Sequence, residues 1–300
     1  MTTYTDRAGR AGLPMGAIDI VASVATHRAL SAEQIRIIHL PDTGPRRCRA
    51  LLARIGAAGL IAHVSTGAGS PRRLWFATEA GVRAVIEVGA LPRAPRIFDA
   101  GEVVGPLQAH TFAVNEAAIA FLGAAREEGD DFGPLAWRHE VGHPLSRPAR
   151  RGRTVIADAV LTYVRTAAGK VYVDHRFLEL DRATLAVDGL AAELARYADL
   201  FRAQDPQEGE PLWRRRYPTF PSVVCVLAGA GHEVLVRRRD TALALLRAEP
   251  QLTRTPEVEI RACLLEELVE HGPFAPIFRS LRDPGQAVDW LGKRDEEATR

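Results

Sequence analysis

Three carboxylates interrupt otherwise apolar runs between Thr154 and Tyr197: Asp158, Glu179 and Asp181. A charge in such a run is costly unless it is paired or holds a metal. Mg²⁺ and Mn²⁺ take oxygen ligands, and either ion can activate water for phosphodiester cleavage. Asp158 and Glu179 are the candidate metal ligands, with Asp181 completing the set. The stretch reads as a strand, a tight turn at Ala167-Ala168-Gly169-Lys170, a second strand and a helix. If the turn pairs Val164 with Val171, Asp158 falls opposite Phe177 and shares a face with Glu179 and Asp181. Glu179 is then its diagonal neighbour, roughly 7–8 Å away between backbones. A one-residue slip would carry Glu179 to the other face and remove the site. The alternative is structural: the carboxylates pair with Arg176, Arg182 or Arg196.

Charge is the second signal. The net charge of +2 is small, but from Arg36 to Arg73 seven arginines face one acid, Asp42. Arg138 to Arg153 adds five arginines against Glu140. Basic residues gathered this way are the footprint of a polyanion partner. The chain carries 37 acidic residues, 47% hydrophobic content and 25% charged content, the balance of an ordinary globular protein. Its 300 residues suggest two domains. No secretory leader and no apolar run long enough to span a membrane is legible, so a cytoplasmic protein is expected. Cys48, Cys225 and Cys263 read as reduced core residues.

One motif points elsewhere. His139-Glu140-Val141-Gly142-His143 fits the zinc-protease pattern H-E-x-x-H, which needs a helix to bring both histidines to one ion. Gly142 and Pro144 oppose a helix there. In a strand the two histidines would stand about 13 Å apart, too far for one metal. No phosphate-binding glycine loop or nucleophile elbow is present. Trp213-Arg-Arg-Arg-Tyr217 mixes aromatic and basic residues, which suits a nucleic-acid backbone or a solvated loop equally.

Around these residues the pattern sets out two domains. Residues 1–88 open with a helix from about Met15 to His27. Ser31-Ala-Glu-Gln34 is a capping box for a second helix. A third helix runs from Arg46 to about Ala58 and carries Arg46, Arg47, Arg49 and Arg54. A hairpin follows, Leu60–Val64 and Arg73–Ala77, and then a helix capped by Thr78. This order resembles a winged helix-turn-helix, which implies a helix entering the major groove of double-stranded DNA. Arg46, Arg47, Arg49 and Arg54, with Arg72 and Arg73 beside the wing, would contact phosphates.

Residues 89–106, with Pro92, Pro95, Gly105 and Pro106, read as a linker, and residues 107–300 as a second, α/β domain. Its order is helix, three strands, helix, strand, which resembles the restriction-endonuclease-like core with a mixed sheet. The overall fold class is thus α+β. In that core the resemblance implies a divalent metal held by an Asp and, after a gap, by the Glu of a Glu-x-Lys. Here Asp181 stands where the lysine belongs, and Arg196 is the nearest cation that could replace it. The whole chain, from about residue 15 to 230, resembles the replication-relaxation family of actinobacterial chromosomes and plasmids. The residues that carry the likeness are the winged-helix wording at 51–81, His110-Thr-Phe-Ala-Val-Asn115-Glu116, Trp137-Arg-His-Glu140, Ala157-Asp158-Ala159, Phe177-Leu-Glu-Leu-Asp181-Arg182 and Leu194-Ala-Arg-Tyr197. Family members often carry a lysine where Glu193 stands here.

The resemblance implies DNA handling in replication, mobilisation or relaxation, by a nuclease-like domain without full catalysis. Two alternatives stay open: a Mg²⁺- or Mn²⁺-dependent endonuclease using Asp158, Glu179, Asp181 and Arg196, and a winged-helix transcriptional regulator. The expected partner is double-stranded DNA, with a second copy of the chain or a replication or mobilisation protein beside it, and no membrane.

Overall fold

The computed structural model describes residues 13–66, 72–105, 108–147 and 153–293. The chain divides into two compact units, residues 1–115 and 116–300.

The first unit is built from α1 (Ala17–Thr26), β1 (Leu30–Ser31), α2 (Ala32–His39), α3 (Pro45–Ala57), β2 (Ile61–Thr66), β3 (Arg72–Ala77) and α4 (Glu79–Glu87). Local chemistry sets these boundaries. Ser31 and Gln34 close the expected capping box, with both reciprocal bonds at 3.1 Å. Pro45 occupies the first turn of α3, where its missing N–H costs nothing. Thr78 accepts from the Gly81 N–H at 3.1 Å and donates to the Gly59 carbonyl at 2.6 Å, so one side chain starts α4 and ties it to the chain before β2. Gly81 must stay small, because a Cβ there would lie 2.0 Å from the Leu60 oxygen. The strands form a three-stranded sheet in the order β1-β3-β2. Ile20, Val21, Val24, Ile35, Leu52, Ile55 and Val85 fill the core.

Residues 89–105, the expected linker, contribute to this unit. Val103, on the short α5 (Ala100–Val103), is buried with Ala29 and Leu74, and Phe98 packs against them. The guanidinium groups of Arg28 and Arg96 lie 5.2 and 4.8 Å from the Phe98 ring centroid. The division between units falls inside α6 (Gln108–Glu128). On its first turns Asn115 is fully buried, and its amide donates to the carbonyls of His27 and Ala29 at 3.4 and 3.2 Å.

The second unit holds β4 (Trp137–Pro144), β5 (Thr154–Ala167), β6 (Lys170–Asp181), α7 (Val187–Arg202), β7 (Ser222–Leu227), α8 (His232–Ala248), α9 (Pro250–Thr253), β8 (Ile260–Leu264), α10 (Leu265–His271), β9 (Phe278–Ser280) and β10 (Ala287–Val288). After α10 the chain thus adds two short strands. Seven strands form one sheet in the order β10-β9-β8-β7-β6-β5-β4, parallel at β6-β7-β8 and antiparallel elsewhere. β7 is apolar almost throughout, as a strand covered on both faces must be. One face packs Phe177, Val223, Cys225 and Leu227 against Leu194, Tyr197, Leu243 and Leu246 of α7 and α8. An aromatic cluster of Phe121, Phe132, Trp137, Tyr163, Phe274 and Trp290 forms the other part of the core.

The β5–β6 register differs from the expected pairing of Val164 with Val171. Val164 pairs with Val173, a shift of two residues. Ala168 and Gly169 both have positive φ, 49° and 72°, and make a two-residue turn that closes Ala167 on Lys170. A shift of two preserves which face each side chain occupies, so the shared face survives.

Candidate functional site

The changed register brings the carboxylates closer than expected. The β5–β6 ladder ends at Ala159 opposite Leu178, and one further step along it sets Asp158 level with Glu179. β5 changes phase at this point. Val155 and Ala157 belong to the same core cluster as Val160, an odd spacing that strict alternation forbids. On the other side the β4–β5 ladder skips the position where Glu140, with φ 48°, would meet Asp158. Asp158 is half-buried and its Oδ2 accepts from the Leu180 N–H at 2.8 Å.

Glu179 is 5% exposed. Burial holds its carboxyl well above the usual carboxylate range, and the neighbouring Asp158 charge pushes it the same way. The Tyr197 hydroxyl, on α7, donates to Glu179 Oε1 and offsets part of that rise, while the charge of Glu193 adds to it. Asp158 also hydrogen-bonds Glu179. Of the two neighbouring carboxyls, Glu179 is the one pushed toward its neutral form. Burial likewise raises the Tyr197 phenol well above its ordinary value, followed by the Glu179 charge, so it stays a donor.

Asp181 is held apart from this pair by an ion pair the sequence reading did not foresee. Arg238, on α8, grips it through Nε at 2.5 Å and Nη2 at 2.9 Å, with the two side chains only 11% and 7% exposed. The Asp181 Oδ1 also accepts from the Ala183 N–H at 3.2 Å. Arg196 gives its Nη2 to the Thr154 carbonyl at 2.6 Å and forms no ion pair among the described residues. Arg176 pairs with Asp174 at 3.2 Å. Among the described residues, no three carboxylate, imidazole or thiol groups converge closely enough to hold a metal ion.

The remaining sequence candidates fall out simply. His139 and His143 lie on β4, a strand. His143 is buried against the Tyr217 hydroxyl at 2.8 Å, and burial with the Arg216 charge pulls it down to about 4. Trp213 and Tyr217 are core residues, and Arg215 and Arg216 are engaged by Asp205 at 2.8 Å and by the Gly142 carbonyl at 2.8 Å. In the first unit, Arg46, Arg47, Arg49 and Arg54 are all exposed on α3, whose buried face is Cys48, Leu52 and Ile55. None of the four has an ion-pair partner among the described residues. Arg73 is exposed on β3. The Arg72 side chain and the tip of the hairpin lie outside the described residues.

The sequence profile described as replication-relaxation matches residues 21–212, more than half of the chain. The chain belongs to the replication-relaxation family. No curated protein matches it. A solved structure described as the restriction endonuclease FokI bound to DNA is similar at 12% identity and a TM-score of 0.29, over 86% of this chain and 44% of that one. This replication-relaxation protein thus spans less than half of that endonuclease. The family match contains Asp158, Glu179 and Tyr197 but stops before α8, so Arg238 and the strands from β7 onward lie beyond it.

Two residues of the site escaped sequence reasoning for different reasons. Tyr197 had a signal: Leu190, Leu194 and Tyr197 fall on one helical face, which must meet the sheet. Arg238 had none, because Arg237-Arg238-Arg239 offers three equivalent candidates until α8 is placed.

Proposed function

We propose that the first unit is a winged helix-turn-helix that binds double-stranded DNA, with α3 as the helix that enters the major groove. The observation that carries this reading is the row of four exposed, unpaired arginines on a helix without acids. The order of helices and strands and the β2–β3 hairpin support it. Arg46, Arg47, Arg49 and Arg54, joined by Arg72 and Arg73, supply phosphate contacts that position the helix without choosing a sequence. The second unit is a restriction-endonuclease-like sheet without full catalysis. It retains a carboxylate pair, but Asp181 is neutralised by Arg238, and Arg196, the cation expected to stabilise charge on a transferring phosphoryl group, is turned to the Thr154 carbonyl. Family membership supports a role in plasmid or chromosomal replication, mobilisation or relaxation.

A second reading, metal-dependent DNA cleavage, is favoured by the contact between Asp158 and Glu179. Two carboxylates suit Mg²⁺ or Mn²⁺, which take few protein ligands and keep several waters. Asp158 and Glu179 would hold the ion, and the ion would supply an activated water. This chain's own part would be to release the proton that burial favours on Glu179, since ligands must be deprotonated.

Supercoiled plasmid incubated with the protein in Mg²⁺, Mn²⁺ or EDTA separates the two. The expected outcome is retardation without cleavage, equal for wild type and Asp158→Ala. Metal-dependent nicking that disappears in Asp158→Ala would establish the second reading instead.

A further inference from the structure

Beyond the reach of the family match, α8 and the turn after β9 enclose a cleft of about 360 Å³. Arg239, Arg247 and Arg279 line it, against a single acid, Asp240. A smaller cleft of about 180 Å³ adjoins it through the shared Arg247 and adds Arg282. The neighbouring arginines of α8 are accounted for internally: Arg238 by Asp181, and Arg237 by Glu233 at 3.6 Å. Of the cleft arginines only Arg239 has an acid partner, Asp240; Arg247 and Arg279 have none among the described residues. Arg239 is 7% exposed, yet its one bond is from Nε to Asp240 Oδ1 at 2.9 Å. Its two terminal amino groups have no partner among the described residues. Arg279 donates one bond, from Nη1 to the Gly285 carbonyl at 3.3 Å, and Arg247 none among the described residues.

A guanidinium presents five donors in a fixed plane, and those without a protein acceptor are open to a ligand's oxygens. Several such groups around one cavity match a tetrahedral oxyanion through paired N–H bonds. Charge narrows the ligand further. Three arginines against one aspartate leave a surplus of two positive charges, which one carboxylate cannot balance but a phosphate dianion or two backbone phosphates can.

We propose that this cleft binds phosphate, as successive phosphates of a nucleic-acid backbone or as a free phosphorylated compound. The site is separate from the Asp158–Glu179 pair and does not depend on the winged-helix reading.

Inorganic pyrophosphate titrated calorimetrically into the full-length chain tests it. The variant is Arg247→Glu with Arg279→Glu, at an exposed and a half-buried position whose replacement leaves the core intact. The control, Arg214→Glu with Arg237→Glu, makes the same charge change outside the cleft. Pyrophosphate affinity should fall at least tenfold in the cleft variant and stay within twofold in the control. A second arm measures duplex DNA affinity against salt, where each lost phosphate contact flattens the log–log slope by about 0.9. A slope reduced by about two in the cleft variant identifies the backbone as the source. Lost pyrophosphate binding with an unchanged duplex slope identifies a free compound. If neither readout distinguishes the cleft variant from the control, the proposal is overturned. The winged helix is tested separately with Arg46→Ser, Arg47→Ser and Arg49→Ser, and its failure would leave the pyrophosphate arm standing.

Discussion

Glu179 is a carboxyl kept neutral by its surroundings, and that has a sign in stability. Burial raises its folded pKa above the ordinary 4.5, so between 4.5 and the raised value the folded state holds a proton that the unfolded state has released. Its stabilising effect is complete below 4.5 and is lost as pH rises through the raised value. This contribution should therefore pull the wild-type urea midpoint down as pH rises from 5 to 8, against the opposite trend set by the depressed His143. Glu179→Gln, which keeps the shape but cannot ionise, should remove that pull; parallel profiles would show that the carboxyl is ionised at neutral pH. Tyr197→Phe removes the donor from a buried acceptor and should cost about 1–3 kcal/mol in the same measurement.

At the scale of elements, α8 is fastened to the end of β6 by Arg238 and Asp181. Breaking a buried pair from one side leaves the other charge stranded, so Arg238→Ala should destabilise by about 3 kcal/mol. Adding Asp181→Ala to that variant should restore part of the loss; a double variant no better than the single would mean that packing, not the stranded charge, dominates. The β5–β6 turn makes the opposite prediction. Ala168 sits at φ 49°, a region costing a non-glycine residue about 1–2 kcal/mol, whereas Asn tolerates it. Ala168→Asn should raise the urea midpoint. The turn also explains what the sequence could and could not show. Alternation fixed the face of β6 that carries Phe177 and Glu179, because any even slip preserves it, but not the change of phase in β5 at Asp158. The pairing itself depended on whether Ala167-Ala168 or Ala168-Gly169 forms the two-residue turn. Positive φ at an alanine, which decides that, leaves no mark in composition.

For the molecule as a whole, a net charge of +2 gives no general attraction to DNA, so the proposed binding has to rest on where the arginines stand. Affinity for duplex should fall steeply with salt, and replacing Arg46, Arg47 and Arg49 with serine should lower the slope by about 2.7 if all three reach phosphates. An unchanged slope would move the contact elsewhere. Most helices were legible because amphipathic periods and caps are local. The C-terminal strands were not: Phe278–Ser280 and Ala287–Val288 are too short for a period and exist through pairing with β8 and each other. Arg238 was hidden for the same reason, since its partner lies 57 residues away.

Asn115 bears on how this chain can be cut. The proline- and glycine-rich stretch invites division before residue 107, yet a fragment ending there would lose Phe112 and the amide that satisfies the His27 and Ala29 carbonyls. Those carbonyls belong to the corner between α1 and β1, where Arg28 holds φ 66°. A self-sufficient first fragment has to end inside α6, after residue 115. The natural seam for dissecting this protein is thus a turn of helix, not a loop.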